Sequence, residues 1–242
     1  MNATYDQLAG MIDHAVLKPD QTQDDVRLGC EMSKAYGVAS ACVMSSAVPL
    51  AAQIFQGSQT VACCVIGFPF GYANTAGKVG EAQQACIDGA RELDMVCNIS
   101  AVKSGDWQTV GEDIATVVEA GHGNGAKVKV IFETCYLTDD EKKRLCDICT
   151  EANADWVKTS TGFGTGGATD DDLILMRDSV GERVQVKASG GIRDLQRLLR
   201  VREIGCTRAG ASATQAILDE ARKQFDLPPI EIAGGTDANT SY

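Results

Sequence analysis

Histidine is scarce in this chain of 242 residues, with only His14 and His122 present. A zinc centre of three histidines is therefore excluded, and a two-histidine centre would need distant positions to converge. No metal site is expected. No stretch approaches the roughly 20 consecutive apolar residues that cross a bilayer, and no basic segment followed by an apolar run opens the chain. A membrane protein is not expected either. Positive charge is also short: 22 Lys and Arg against 33 Asp and Glu leave a formal charge of −11. Nucleic acid and anionic lipid select basic faces, so neither is expected as a partner. An anionic small molecule would need a local basic pocket.

Cysteine, by contrast, is plentiful. Ten are present, scattered through apolar runs such as Val61-Ala62-Cys63-Cys64-Val65-Ile66. That distribution reads as free, mostly buried thiols in a reducing cytoplasm rather than a disulfide scaffold. Cys146-x-x-Cys149 has redox spacing but lies in a helical pattern, where packing is the simpler reading.

Apolar, strand-like runs recur at 11–17, 38–43, 60–66, 93–97, 128–132, 154–158, 184–188 and 204–208. Amphipathic segments with helix-start signals separate most of them. Thr22 with Asp24 and Asp25 opens one that stops at Gly37, and Thr138-Asp139-Asp140-Glu141 has the form of a capping box. Eight strand–helix units predict a single (β/α)8 barrel over residues 1–225, followed by a flexible tail over 226–242. A doubly wound open sheet shares the local pattern. No Gly-x-Gly-x-x-Gly follows the first strand, so a dinucleotide-binding version has little support. In the barrel reading, Asp13, Asp94, Lys129, Glu133, Lys158, Lys187 and Arg208 are expected at the C-terminal strand ends, facing an active-site mouth.

Two lysines stand out. Lys158, in Trp156-Val157-Lys158-Thr159-Ser160-Thr161-Gly162-Phe163, and Lys187, in Val186-Lys187-Ala188-Ser189-Gly190-Gly191-Ile192-Arg193, each end an apolar run before a small-residue turn. A lysine at a strand end is ordinarily a solvated charge; two in matching contexts suggest an amine made nucleophilic by a neighbouring cation. An unprotonated Lys158 could attack an aldehyde or ketone and form an iminium, an electron sink that makes the adjacent carbon acidic. Reversible carbon–carbon bond formation follows naturally. Asp94, read as a lone acid in an apolar strand, is the candidate general acid/base, with a structural salt bridge as the competing role.

The segments Asp13-His14-x-x-Leu17-Lys18-Pro19, Gly67-Phe68-Pro69-x-Gly71, Glu92-Leu93-Asp94-Met95-Val96 and Lys129-Val130-Ile131-x-Glu133-Thr134, with the two lysine motifs, resemble the deoxyribose-phosphate aldolase family over roughly residues 8–222. The resemblance implies a cofactor-free class I aldolase on a (β/α)8 barrel, acting on small aldehyde and sugar-phosphate substrates and commonly dimeric. It implies Lys158 as the Schiff-base lysine, Lys187 as the neighbour that eases its deprotonation, and Asp94 as a proton-relay acid working through water. Lys129 and Asp13 would complete the polar network. Gly162, Gly190, Gly191 and Ser212 would bind the substrate phosphate.

The chain departs from the family pattern at Ala213, where a second serine is usual, and after the second strand, where Cys42-Val43-Met44-Ser45 lacks the usual proline. The first departure predicts weaker discrimination in favour of a phosphorylated substrate. The second places Cys42 beside a looser loop, as a candidate for reaction with unsaturated aldehydes or as a buried, inert thiol. Tyr242 is a candidate for folding over the mouth, against the ordinary fraying of chain ends. Rival readings are a transaldolase-like Schiff-base barrel, an isomerase barrel using Glu133 or His14 as base, and a non-catalytic sugar-phosphate-binding barrel.

Overall fold

In the computed structural model, which describes residues 3–232, the strands are β1 (Ile12–Val16), β2 (Ser40–Val43), β3 (Val61–Ile66), β4 (Glu92–Val96), β5 (Lys127–Ile131), β6 (Trp156–Lys158), β7 (Gln185–Ser189) and β8 (Arg208–Ala211). All pair in parallel with their sequence neighbours, and β8 returns to β1 to close the barrel. Around it run α1 (Tyr5–Ala9), α2 (Gln23–Tyr36), α3 (Val48–Ile54), α4 (Thr75–Ile87), α5 (Ile99–Lys103), α6 (Trp107–Gly123), α7 (Asp139–Glu151), α8 (Asp170–Ser179), α9 (Leu195–Ile204) and α10 (Thr214–Gln224).

The helix boundaries follow local chemistry. Thr22 accepts from the Asp25 N–H while the Asp25 carboxylate accepts from the Thr22 N–H, a reciprocal box that satisfies two donors otherwise orphaned at the start of α2. Gly37, at φ 68°, stops the same helix in the left-handed conformation. Thr138 and Glu141 repeat the box at α7.

The main core lies between the outer face of the sheet and the helices, where Leu93, Met95, Val128 and Val130 meet Ile114 and Val117 of α6. Complete burial of such a side chain contributes about 1.5–3 kcal/mol. At Gly121, a Cβ would lie 2.5 Å from Val128 Cγ2, so α6 can approach the strands this closely only without a side chain there. Cys146 and Cys149 are buried in this layer on α7.

The barrel interior is divided. Leu17, Cys42, Cys63 and Val65 form an apolar cluster on one side. The other side is ionic, from β1 and β4 through β8. Register explains the placement: strand neighbours share a face, and the paired positions include Asp94 with Lys129, Lys158 with Lys187, and Lys187 with Arg208.

Strand β8 corrects the expectation at 204–208. Ile204 is the last residue of α9, whose buried Leu198 and Val201 precede it at helical spacing, and Gly205 at φ 105° ends the helix. The strand itself is Arg-Ala-Gly-Ala and carries no bulky apolar residue. Gly210 has no room for one, because a Cβ would sit 2.4 Å from Ser189 Oγ. Beyond α10, Ile230 and Ile232 pack partly against the core. The remaining tail, with Tyr242, lies outside the described residues.

Candidate active site

Lys158 ends β6 at the floor of an open cavity of about 480 Å³ at the C-terminal mouth of the barrel. Its Nζ donates to Asp94 Oδ2 at 2.7 Å, and Lys187 Nζ donates to the same oxygen at 2.8 Å. The other carboxylate oxygen, Oδ1, accepts from Lys129 Nζ at 2.9 Å and from the Cys63 thiol at 3.2 Å. Burial alone would raise the Asp94 carboxyl. The ammonium groups of Lys129, Lys158 and Lys187 outweigh it and hold Asp94 well below the ordinary carboxylate range.

The ionic network continues towards the bottom of the barrel. Lys187 reaches Asp13 Oδ2 at 2.5 Å, Lys129 reaches Glu92 Oε2 at 2.6 Å, and Arg208 bridges Asp13 and Glu92 at 2.6 and 2.8 Å. Burial works against the ammonium forms of Lys187 and Lys129, but the facing carboxylates prevail and both lysines are held above the ordinary lysine value. Trp156 lies beneath, with the Arg208 guanidinium 4.9 Å and Lys129 Nζ 5.5 Å from its ring centroid.

In this cluster Lys129, Lys158, Lys187 and Arg208 face Asp13, Glu92 and Asp94. With every group ionised there is one positive charge too many. Of the four cations, Lys158 and Lys187 line the cavity, and Lys158 alone of the two stands at the end of its strand.

Two expectations need correction. Asp94 is not a lone acid, since Glu92, two residues earlier and on the same face, is also buried and takes part in the network. Nor do all the polar residues stand at C-terminal strand ends. Asp13 is second in β1, and Asp94, Lys129 and Lys187 are central in their strands, while Arg208 begins β8. They form a stack through the barrel rather than a ring at its mouth. Alternation along each strand explains this: a short interior-facing residue near the bottom can meet a long lysine from a neighbouring strand or from across the barrel.

The upper wall contains Gly162, Gly190, Gly191 and Ser212, together with Thr165, Arg193 and Gly210. Gly162, Gly190 and Gly191 have φ values of 90°, 87° and 83°. A Cβ on Gly190 would lie 2.7 Å from Gly167 Cα, so the turns after β6 and β7 touch through bare backbone. Ala213 caps α10 without any side-chain hydrogen bond. Arg193 and Ser189 line the cavity although neither was singled out from the sequence; the Ser189 hydroxyl is buried and has no hydrogen-bond partner among the described residues. The signal for both was present in the Lys187 motif, which continues Ser-Gly-Gly-Ile-Arg.

The proposed alternative bases are committed elsewhere. Glu133, at φ 57°, accepts from the Thr161 N–H and hydroxyl and so braces the turn after Lys158. His14 faces outward to Thr214, with Nδ1 2.9 Å from Thr214 Oγ1, and His122 meets Asp155 at the surface. Cys42 lines the cavity beside Lys158 and Lys187.

Comparison with known proteins agrees with this arrangement. The DeoC/LacD family aldolase model matches residues 9–220. The chain belongs to this aldolase family. A deoxyribose-phosphate aldolase of Rhodopirellula baltica is 53% identical over 228 residues, covering 94% of this chain and 95% of the relative. One from Carboxydothermus hydrogenoformans is 48% identical, covering 88% and 94%. Among solved structures, a tetrameric deoxyribose phosphate aldolase from Aeropyrum pernix superposes with a TM-score of 0.85 at 30% identity, covering 91% of this chain and 93% of its own. The aldolase match thus spans the whole barrel, including every strand of the lysine cluster.

Proposed function

We propose that this aldolase interconverts 2-deoxy-D-ribose 5-phosphate with acetaldehyde and D-glyceraldehyde 3-phosphate through an imine on Lys158. The observation that carries the reading is the placement of Lys158 and Lys187 on a single oxygen of Asp94 at the floor of the cavity. Lys187, kept as an ammonium by Asp13 and Asp94, supplies the fixed positive charge beside Lys158. Lys158 is then the amine that relieves the surplus charge by giving up its proton.

The neutral Nζ adds to the substrate carbonyl carbon, and loss of water gives an iminium. In the cleavage direction, the C3 hydroxyl loses its proton and the C2–C3 bond breaks. Its electron pair moves into the iminium to give an enamine, and D-glyceraldehyde 3-phosphate departs. Protonation at C2 and hydrolysis then release acetaldehyde and restore the amine. Asp94 orients Lys158 and Lys187, Lys129 and Asp13 fix Asp94 and Lys187 in place, and water in the cavity carries the protons.

Gly162, Gly190, Gly191, Ser212 and the N-terminal end of α10 are proposed to receive the phosphate, since free backbone N–H groups and a helix N-terminus favour an anion. Arg193 adds a positive charge to the same wall. The bare Ala213 supports a weaker preference for the phosphorylated substrate. A homodimer is the proposed assembly; the stacked and exposed rings of Phe70 and Tyr72, 5.8 Å apart, offer an apolar surface for it.

The reading is tested by following D-glyceraldehyde 3-phosphate release from 2-deoxy-D-ribose 5-phosphate. Lys158→Leu should lower kcat by at least about 10³-fold, the scale expected when a covalent nucleophile is removed. Turnover close to that of the parent would overturn the assignment.

A further inference from the structure

Inside the barrel, the mechanism leaves a buried pair of nucleophilic side chains unused. Cys42 and Cys63 are register partners on the adjacent parallel strands β2 and β3. Both belong to the apolar cluster inside the barrel. Neighbouring strands lie about 4.8 Å apart, which falls in the roughly 4.4–6.8 Å range of Cα separations that a disulfide spans. The two sulfurs lie within 4.8 Å of each other and of an Asp94 carboxylate oxygen.

The two thiols differ in access. Cys42 lines the cavity beside Lys158 and Lys187, whereas Cys63 lies behind it, donating to Asp94. The adjacent Cys63 side chain lowers the Cys42 thiol, and Lys187 and Lys158 add to that effect, against burial and the Asp94 charge. Elsewhere burial holds thiols up: Cys30, Cys97, Cys146 and Cys206 are each raised to about 12. A more acidic thiol facing a cavity, with a second thiol against it, is the arrangement that oxidises reversibly.

We propose that hydroperoxides small enough to enter the barrel mouth join Cys42 and Cys63 into a disulfide that arrests the active site. The Cys42 thiolate attacks a peroxide oxygen; an S–O bond forms, the O–O bond breaks and hydroxide leaves, giving a sulfenic acid. Cys63 then attacks that sulfur. The S–S bond forms, the S–O bond breaks and water leaves, so two thiols and one hydrogen peroxide give one disulfide and two waters. The oxidised pair loses the Cys63 proton that bonds Asp94 Oδ1, and the arrest of turnover rests on the role proposed for Asp94.

The experiment treats the protein with hydrogen peroxide, maps linked peptides by non-reducing mass spectrometry and measures turnover in parallel. A Cys42–Cys63 peptide is expected, with turnover falling by roughly tenfold or more, the scale of a lost hydrogen bond to a charged group. Dithiothreitol should reverse both. Cys135→Ser, which removes the exposed thiol, should give the same link, and Cys63→Ala should stop at a sulfenic acid on Cys42 that dimedone captures. Oxidation confined to Cys135, or a Cys42–Cys63 link that leaves turnover intact, would overturn the proposal. Because the link is detected without any turnover assay, its failure is distinguishable from an error in the assigned substrate.

Discussion

At the scale of single residues, the site is governed by one carboxylate. Asp94 has two oxygens and four donors: Lys158 and Lys187 on one, Lys129 and the Cys63 thiol on the other. Such a group is expensive to bury unless fully paired, and its pairing aligns three lysines from three strands. His14 shows burial acting with only slight compensation. Burial lowers its pKa from 6.5 to about 4, against a smaller opposing effect of the hydrogen bond with the Ala211 backbone. Between those values the unfolded chain binds a proton that the folded protein does not, so stability rises with pH across this window. Its contribution is complete above pH 6.5 and is lost as pH falls towards 4. Urea unfolding at pH 7 and pH 5 should differ by about 2 kcal/mol from this group alone, and His14→Gln should remove that part of the difference. An unchanged difference in the variant would refute the assignment.

At the scale of elements, the start of α10 is proposed to set how strongly the phosphate is held. Its N-cap, Ala213, contributes no hydroxyl. Ala213→Ser should raise the ratio of kcat/KM for phosphorylated over free deoxyribose by about tenfold or more, as expected for one hydrogen bond to a charged group of roughly 1.5–3 kcal/mol. An unaltered ratio would remove Ala213 as the cause of the proposed weak discrimination. Elements also decide what could be read in advance. Lys158 and Lys187 were legible because each closes an apolar run just before a Ser, Thr and Gly turn, and α2 and α7 because Thr22 and Thr138 carry their own capping partners. Strand β8 was not, since Gly210 yields its space to Ser189 and Lys187, and Ala209 and Ala211 on either side are too small to leave an apolar signature. Glu92 was missed because a carboxylate opening a strand looks like a solvated edge until Arg208 and Lys129 are brought to it by non-local pairing. The adjacency of Cys42 and Cys63 likewise depends on register, which no local spacing encodes.

At the scale of the whole molecule, the barrel is acidic outside and holds four cations against three carboxylates within. The depressed carboxyls of Asp13 and Asp94 stabilise the fold above the unfolded value near 4 and lose that contribution as pH falls through their folded values. The raised Lys129 and Lys187 stabilise it below about 10.4 and lose theirs as pH rises through their folded values. The interior network therefore supports the barrel throughout the neutral range in which an amine nucleophile must act. Sedimentation analysis should return the mass of a dimer, and Tyr72→Asp should shift it towards the monomer; a tetramer, or a dimer indifferent to this change, would contradict the proposed assembly. The central claim is that Lys158 is the amine that bonds to the substrate. Borohydride reduction in the presence of acetaldehyde, read by intact and peptide mass spectrometry, tests it most directly. The predicted result is one reduced two-carbon adduct on Lys158, absent from Lys158→Leu; an adduct on Lys187 or Lys129 instead, or none on an active sample, would contradict it.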